Sequence, residues 1–196
     1  MLTVWDKKIF SCEFVVKDEN FVALIGRWGI VEGLMGFVNV YGPQDQSDRK
    51  KVWEKLDLLC DKEEIKWVFF GDFKEVRCTY ERLNSVTCNR GTKEFNDFIR
   101  RNKLEDVRLC GNRFTRVSDD GIKHNKLDRF LISSLARTEW KDLRFRVLER
   151  KWSDHFSIVL TDKRLDFGPI PFKFYDAWLL DRSIEEVVKE AWGKEV

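Results

Sequence analysis

Hydrophobic and polar positions alternate in short runs over the first forty residues. Segments 9–16, 21–28 and 34–41 have the period of two that predicts strands. The polar run 17–20 and the glycine-bearing turn 29–33 separate them, and connections this short favour an antiparallel meander. The period then lengthens. Over 47–62, Val52, Leu56, Leu59 and Cys60 share one helical face, while Asp48, Arg49, Lys50 and Glu54 lie off it. Residues 66–70 form a short apolar strand that stops at Gly71 and Asp72, and 74–91 reads as a long polar loop. Thr92 is placed to cap a second helix that buries Phe95, Phe98 and Ile99. Segments 114–117 and 127–132 read as strands around a turn at 118–121, and 144–148 and 156–161 as the last two. Two prolines and a glycine in 166–171 break any helix, and a helical pattern resumes at Ser183 with Ile184, Val187, Val188 and Trp192 on one side. This order of elements predicts an α+β fold, with two packed, mostly antiparallel sheets flanked by helices. It also predicts one domain over 1–163, followed by a linker and helical segment over 164–196.

Composition sharpens this picture without changing it. Sixteen Phe and eight Trp in 196 residues provide a large core. The formal net charge is only +2, so any nucleic-acid site must be a local patch. Five cysteines, odd in number and never spaced C-x-x-C, fit neither a disulfide framework nor a zinc site. They are expected to be small buried hydrophobes in a reducing, intracellular compartment. No apolar run approaches the ~18–20 residues that span a bilayer, so no membrane association is expected.

Four stretches place acids or their partners at strand ends: Asn39 to Pro43, Gly71 to Lys74, Lys126 to Phe130, and Ser153 to His155. Acids gathered at a sheet rim suit a hard cation such as Mg²⁺, which prefers oxygen ligands. A histidine whose tautomer is fixed by a carboxylate can exchange a proton there. Singly, each stretch reads as an ordinary turn.

Taken together and in order, N-V-Y-x-P, G-D-F, L-D-R and S-D-H resemble the endonuclease/exonuclease/phosphatase superfamily, whose DNase I-like fold is a four-layer sandwich. The plant LINE-type (non-LTR) retrotransposon branch is the nearest in wording, because the run 166–178 resembles the tail that leads to its reverse transcriptase. The resemblance implies metal-dependent phosphodiester hydrolysis, DNA nicking for target-primed reverse transcription. It also implies Mg²⁺ as cofactor, DNA as partner, a place in a larger polyprotein and a nuclear location. By the same resemblance, Tyr41 contacts the scissile phosphate, Asp72 positions or deprotonates the attacking water, and Asp128 holds the active-site histidine. Asp154 lies near the metal, and His155 lies at the phosphate. Lys74, Arg116 and Lys126 are candidate phosphate or DNA contacts.

Two departures shape the expectation of activity. The strands that carry the family's Asn and metal-binding Glu would precede the segment 2–6, so the resemblance implies an N-terminally incomplete domain. Glu13 and Glu19 do not stand in for that acid. The Asn of G-D-F-N is Lys74, an ammonium that only donates. These departures predict a degenerate, inactive chain. The alternatives are a non-catalytic nucleic-acid-binding remnant or pseudogene product, and a phosphatase of small phosphoesters.

Overall fold

The computed structural model describes residues 1–29, 31–61, 64–85, 88–140, 142–150, 153–162, 183, 184, 186, 189 and 190. Contacts divide the chain into two units, Met1–Lys163 and Arg164–Val196. The break at 166–171 and most of the helical pattern after Ser183 lie outside the described residues.

In chain order the first unit contains β1 (Phe10–Lys17), β2 (Phe21–Trp28), β3 (Leu34–Tyr41), α1 (Gln46–Cys60), β4 (Ile65–Asp72) and β5 (Arg82–Leu83). It continues with α2 (Asn89–Arg101), β6 (Leu104–Asp106), β7 (Leu109–Cys110), β8 (Arg116–Val117) and β9 (His124–Asn125). The last elements are β10 (Asp128–Ser133), α3 (Ser134–Glu139), β11 (Leu143–Val147) and β12 (Ile158–Asp162). Six strands form the main sheet in the order β1-β2-β3-β4-β10-β6. Its pairs are antiparallel except β3–β4, which α1 joins as a crossover. A second sheet has the order β12-β11-β7 and a small third sheet β5-β9-β8.

The side chains of the main sheet serve two cores. On one face, Ile25, Val38, Trp67, Phe69 and Leu131 meet Val52, Trp53 and Leu56 of α1 and Phe95, Phe98 and Ile99 of α2. On the other, Leu24, Met35, Val68, Phe130 and Ile132 meet Phe145, Ile158 and Leu160 of the second sheet. Burial on both sides explains why β4 reads as a continuous apolar run. The fold is the expected α+β arrangement of several sheets flanked by helices. Among the described residues, no helix is long and apolar enough to cross a membrane.

Local chemistry sets the element ends. Asp45 caps α1 by accepting from the N–H groups of Ser47 (2.7 Å) and Asp48 (3.4 Å). Helix α2 starts at Asn89, so Thr92 lies inside its first turn and is not its cap. The earlier start is possible because Gly91 lets the helix close on Glu75, whose Oε2 would sit 2.2 Å from any added Cβ. Segment 74–91 is likewise no simple polar loop. Glu75 and Val76 are fully buried, and Glu75 is held by Arg49 (3.1 Å) and Arg82 (3.5 Å). The expectation of buried cysteines also fails. Cys78, Cys88 and Cys110 are exposed on short or irregular segments, and only Cys12 and Cys60 are half-buried. Burial pushes the Cys60 thiol up to about 12, and nearby Asp57 adds to the shift.

Gly71 makes the close approach on which the rim of the sheet depends. Its φ is +120°, and an added Cβ would lie 2.2 Å from the Val40 carbonyl oxygen on β3. Gly71→Ala is therefore expected to cost about 1–3 kcal/mol of stability. A urea midpoint equal to that of the parent chain would contradict this.

Candidate active site

Sheet register assembles the site. Tyr41 on β3 is the parallel partner of Asp72 on β4, and Asp72 is the antiparallel partner of Asp128 on β10. Three residues distant in sequence therefore stand in one row across adjacent strand ends. The Phe73 N–H donates to the Leu127 carbonyl (3.0 Å) and the Gly42 N–H to that of Asp72 (2.7 Å), tying the three strand ends together.

His155 reaches this row from the turn before β12. The Val117 N–H bonds to the Asp154 carbonyl (2.9 Å), the Phe156 N–H to the Thr115 carbonyl (2.8 Å), and an isolated bridge joins Arg116 to His155. The His155 Nδ1 lies 2.8 Å from Asp128 Oδ2. A carboxylate only accepts, so this nitrogen carries the proton and Nε2 faces Asp72 Oδ2 at 3.6 Å. Burial works against the imidazolium. The hydrogen bond and charge of Asp128 and the charge of Asp72 outweigh it, raising the His155 pKa above 6.5, and Lys74 pulls the other way.

One donor atom from each of Asp72, Asp128 and His155 falls within a 4.8 Å cluster, which could hold a metal ion. The Asp72 Oδ2 is buried and makes no hydrogen bond, although it is ion-paired, which is a fit for a cation. Two carboxylate oxygens and an imidazole suit a hard divalent ion that keeps several of its waters. The expectation of an inactive chain is overturned by this cluster: Asp72, Asp128 and His155 come together in an arrangement consistent with an intact metal-binding site.

The other candidates fall into three settings. Tyr41 is 55% exposed at the end of the row, with the Lys74 ammonium 5.1 Å from its ring centroid. Lys74 itself folds back on Asp72. Its N–H bonds to Oδ1 (2.9 Å) and its Nζ lies 2.6 Å from Oδ2. Its φ is +55°, a conformation that asparagine adopts more readily than lysine. Asp154, beside His155 in the chain, is paired with Arg116 (2.7 Å) instead of joining the cluster. Burial raises the Asp154 pKa, but the Arg116 hydrogen bond and the His155 charge hold it below the usual carboxylate range. Lys126 is not brought to the row. It faces Asp106 (3.4 Å) and Glu81 (3.5 Å) with its side chain 12% exposed. There it belongs to a buried network centred on Arg129.

Thr115 is the residue that sequence reasoning missed. It is fully buried, and its Oγ1 accepts from the N–H groups of Leu127 (3.0 Å) and Asp128 (2.9 Å). It therefore fixes the backbone that carries Asp128. The only signal for it was its place just ahead of Arg116, in a stretch where apolar and polar residues alternate too briefly to be assigned a partner.

No protein-family model and no curated sequence matches the chain. Solved structures do. The endonuclease domain of TRAS1, a telomere-specific non-LTR retrotransposon, is 16% identical, with 83% of this chain and 72% of that one aligned at a TM-score of 0.59. The 3' phosphatase NExo from Neisseria, bound to a product DNA hairpin, is 17% identical, with 74% of this chain and 65% of that one aligned at 0.56. A beta toxin from Staphylococcus aureus with bound magnesium ions is 16% identical, with 74% and 58% aligned at 0.52. The chain thus has the fold of the endonuclease/exonuclease/phosphatase, DNase I-like superfamily. It spans between 57% and 65% of the length of the beta toxin and NExo structures.

Proposed function

We propose that this chain is a metal-assisted phosphodiesterase acting on DNA, the endonuclease portion of a LINE-type retroelement polyprotein. The observation that carries this reading is the Asp128–His155 hydrogen bond, which sets the imidazole's second nitrogen against Asp72 in one buried cluster. The likeness to TRAS1 and the retroelement-like wording of 166–178 support the finer assignment. On this reading 164–196 connects the nuclease to a reverse transcriptase, and the working compartment is the nucleus.

In this reading Asp72 and Asp128, with His155 beside them, would hold Mg²⁺. When bound, the ion supplies positive charge against the charge that grows on the phosphoryl oxygens. The protein's own groups do the rest. Asp72, whose Oδ2 is ion-paired with Lys74 but makes no hydrogen bond, orients the attacking water. His155, held by Asp128, donates from Nε2 to a phosphoryl oxygen. The exposed phenol of Tyr41 meets the phosphate from the open side of the row.

The test is nicking of supercoiled plasmid by the full chain. Nicking is expected with Mg²⁺ and is expected to stop with a chelator. A chain that leaves the plasmid intact at millimolar Mg²⁺ rules the reading out.

A further inference from the structure

We propose that Lys74 is a built-in cation of this site, which holds a phosphate group without metal and competes with the divalent ion for Asp72. The inference rests on the phosphodiesterase reading and deepens it.

The placement of the side chain carries this. A surface lysine keeps its ammonium in water on a flexible stem. The Lys74 ammonium is instead drawn into the row, with its side chain 10% exposed. Two separate contacts return it to Asp72, one from its backbone N–H to Oδ1 and one from Nζ to Oδ2. The positive φ turns the stem back over the strand end, and the Tyr41 face closes the other side.

An ammonium carries three donors. The ammonium is ion-paired with Asp72 and the ring of Tyr41 meets another side, which leaves a donor for a phosphoryl oxygen at the same rim. Charge accounting agrees. Asp72 and Asp128 bring two negative charges to the row, which repel phosphate, and the Lys74 ammonium offsets one of them. The cost falls on the divalent ion, because the buried Asp72 oxygen it needs is already paired.

The probes are inorganic phosphate, titrated calorimetrically into the full chain in excess chelator, and Mn²⁺, followed by its electron spin resonance. The parent chain is expected to bind phosphate without metal. Lys74→Met is expected to weaken that binding at least about tenfold, the loss of one charge-assisted contact, and Lys74→Arg to retain most of it. Lys74→Asn, which suits the positive φ and should fold, is expected to tighten Mn²⁺ binding at least about tenfold by freeing Asp72. Metal-free phosphate binding that is the same in Lys74→Met and the parent overturns the proposal. So does Mn²⁺ affinity that is unchanged in Lys74→Asn. Lys74-dependent phosphate binding by a chain that never nicks DNA would sink the phosphodiesterase reading and leave this one standing. Nicking with phosphate binding indifferent to Lys74 would do the reverse.

Discussion

His155→Ala is expected to reduce Mg²⁺-dependent plasmid nicking by ~10²–10⁴-fold, the usual worth of a positioned proton donor or acceptor. The side chain is half-buried and its loss leaves a surface dent, so at a pH above the folded pKa of His155 the melting temperature should move little. Asp128→Asn is the more informative companion. It removes the charge that raises the His155 pKa, and an amide can present its donor to Nδ1, turning the tautomer over. His155 should then lose its proton at lower pH than in the parent, which NMR titration of the ring protons would show directly. The sign is fixed by linkage. A histidine whose folded pKa lies above 6.5 contributes stability that is fully present below pH 6.5 and lost as pH rises through the folded value. That increment should disappear in His155→Ala and shrink in Asp128→Asn. If the parent and His155→Ala have the same pH profile of stability and similar nicking rates, the assignment of His155 is wrong.

Arg129→Met is expected to cost about 3–5 kcal/mol, the penalty for stranding buried carboxylates. The guanidinium is fully buried. Its Nη1 reaches Glu81 (2.9 Å) and Asp106 (2.7 Å), its Nη2 pairs with Glu81 again, and its plane lies over the Phe95 ring. Methionine fills much of the same volume, so the measurement isolates charge from packing. Lys126 and Arg77 remain near Asp106 and should hold the cost toward the lower end. Replacing the rest of the network as well, with Glu81→Leu, Asp106→Leu and Lys126→Met, should recover most of the loss, since apolar substitutes for a whole buried network are often neutral. Urea unfolding decides it: a loss under about 1 kcal/mol would place this network among ordinary surface pairs.

How much was legible in advance follows from how local each cause is. Strands β2 and β3 fall on the residues their alternation marked, and α1 differs by one residue at its start and two at its end. Their period and their flanking turns lie within a few positions of each other. The start of α2 was misplaced because its cause is remote: Gly91 matters only through Glu75, which the sequence hid inside an apparent polar loop. Helix α3 was overlooked for a similar reason. It is six residues long, and its cap, Ser133, accepts from both Ala136 (3.2 Å) and Trp67 (3.0 Å), the latter on another strand.

At the site, the acids and the histidine could be nominated from motif order. Their convergence could not, because it depends on strand pairing over long separations. The inactivity expectation failed at the same point. It counted what the motifs lacked, whereas the capacity to bind a cation depends on which oxygens end up buried, close and without hydrogen bonds. Lys126 shows the converse. Two residues before Asp128 in the chain, it is directed by the fold to a different set of acids.

Because Tyr41, Asp72 and Asp128 are neighbours only through pairing, the chemistry is a vernier read across three strands. Deleting one residue between Trp67 and Gly71 would preserve every motif and the apolar character of β4. Yet it would invert that strand's pleat and carry the Asp72 carboxylate to the opposite surface. Length changes in the connecting segments carry no such penalty. In descendants of this sequence, drift should therefore accumulate as insertions at the turns, while the spacing within β3, β4 and β10 stays frozen.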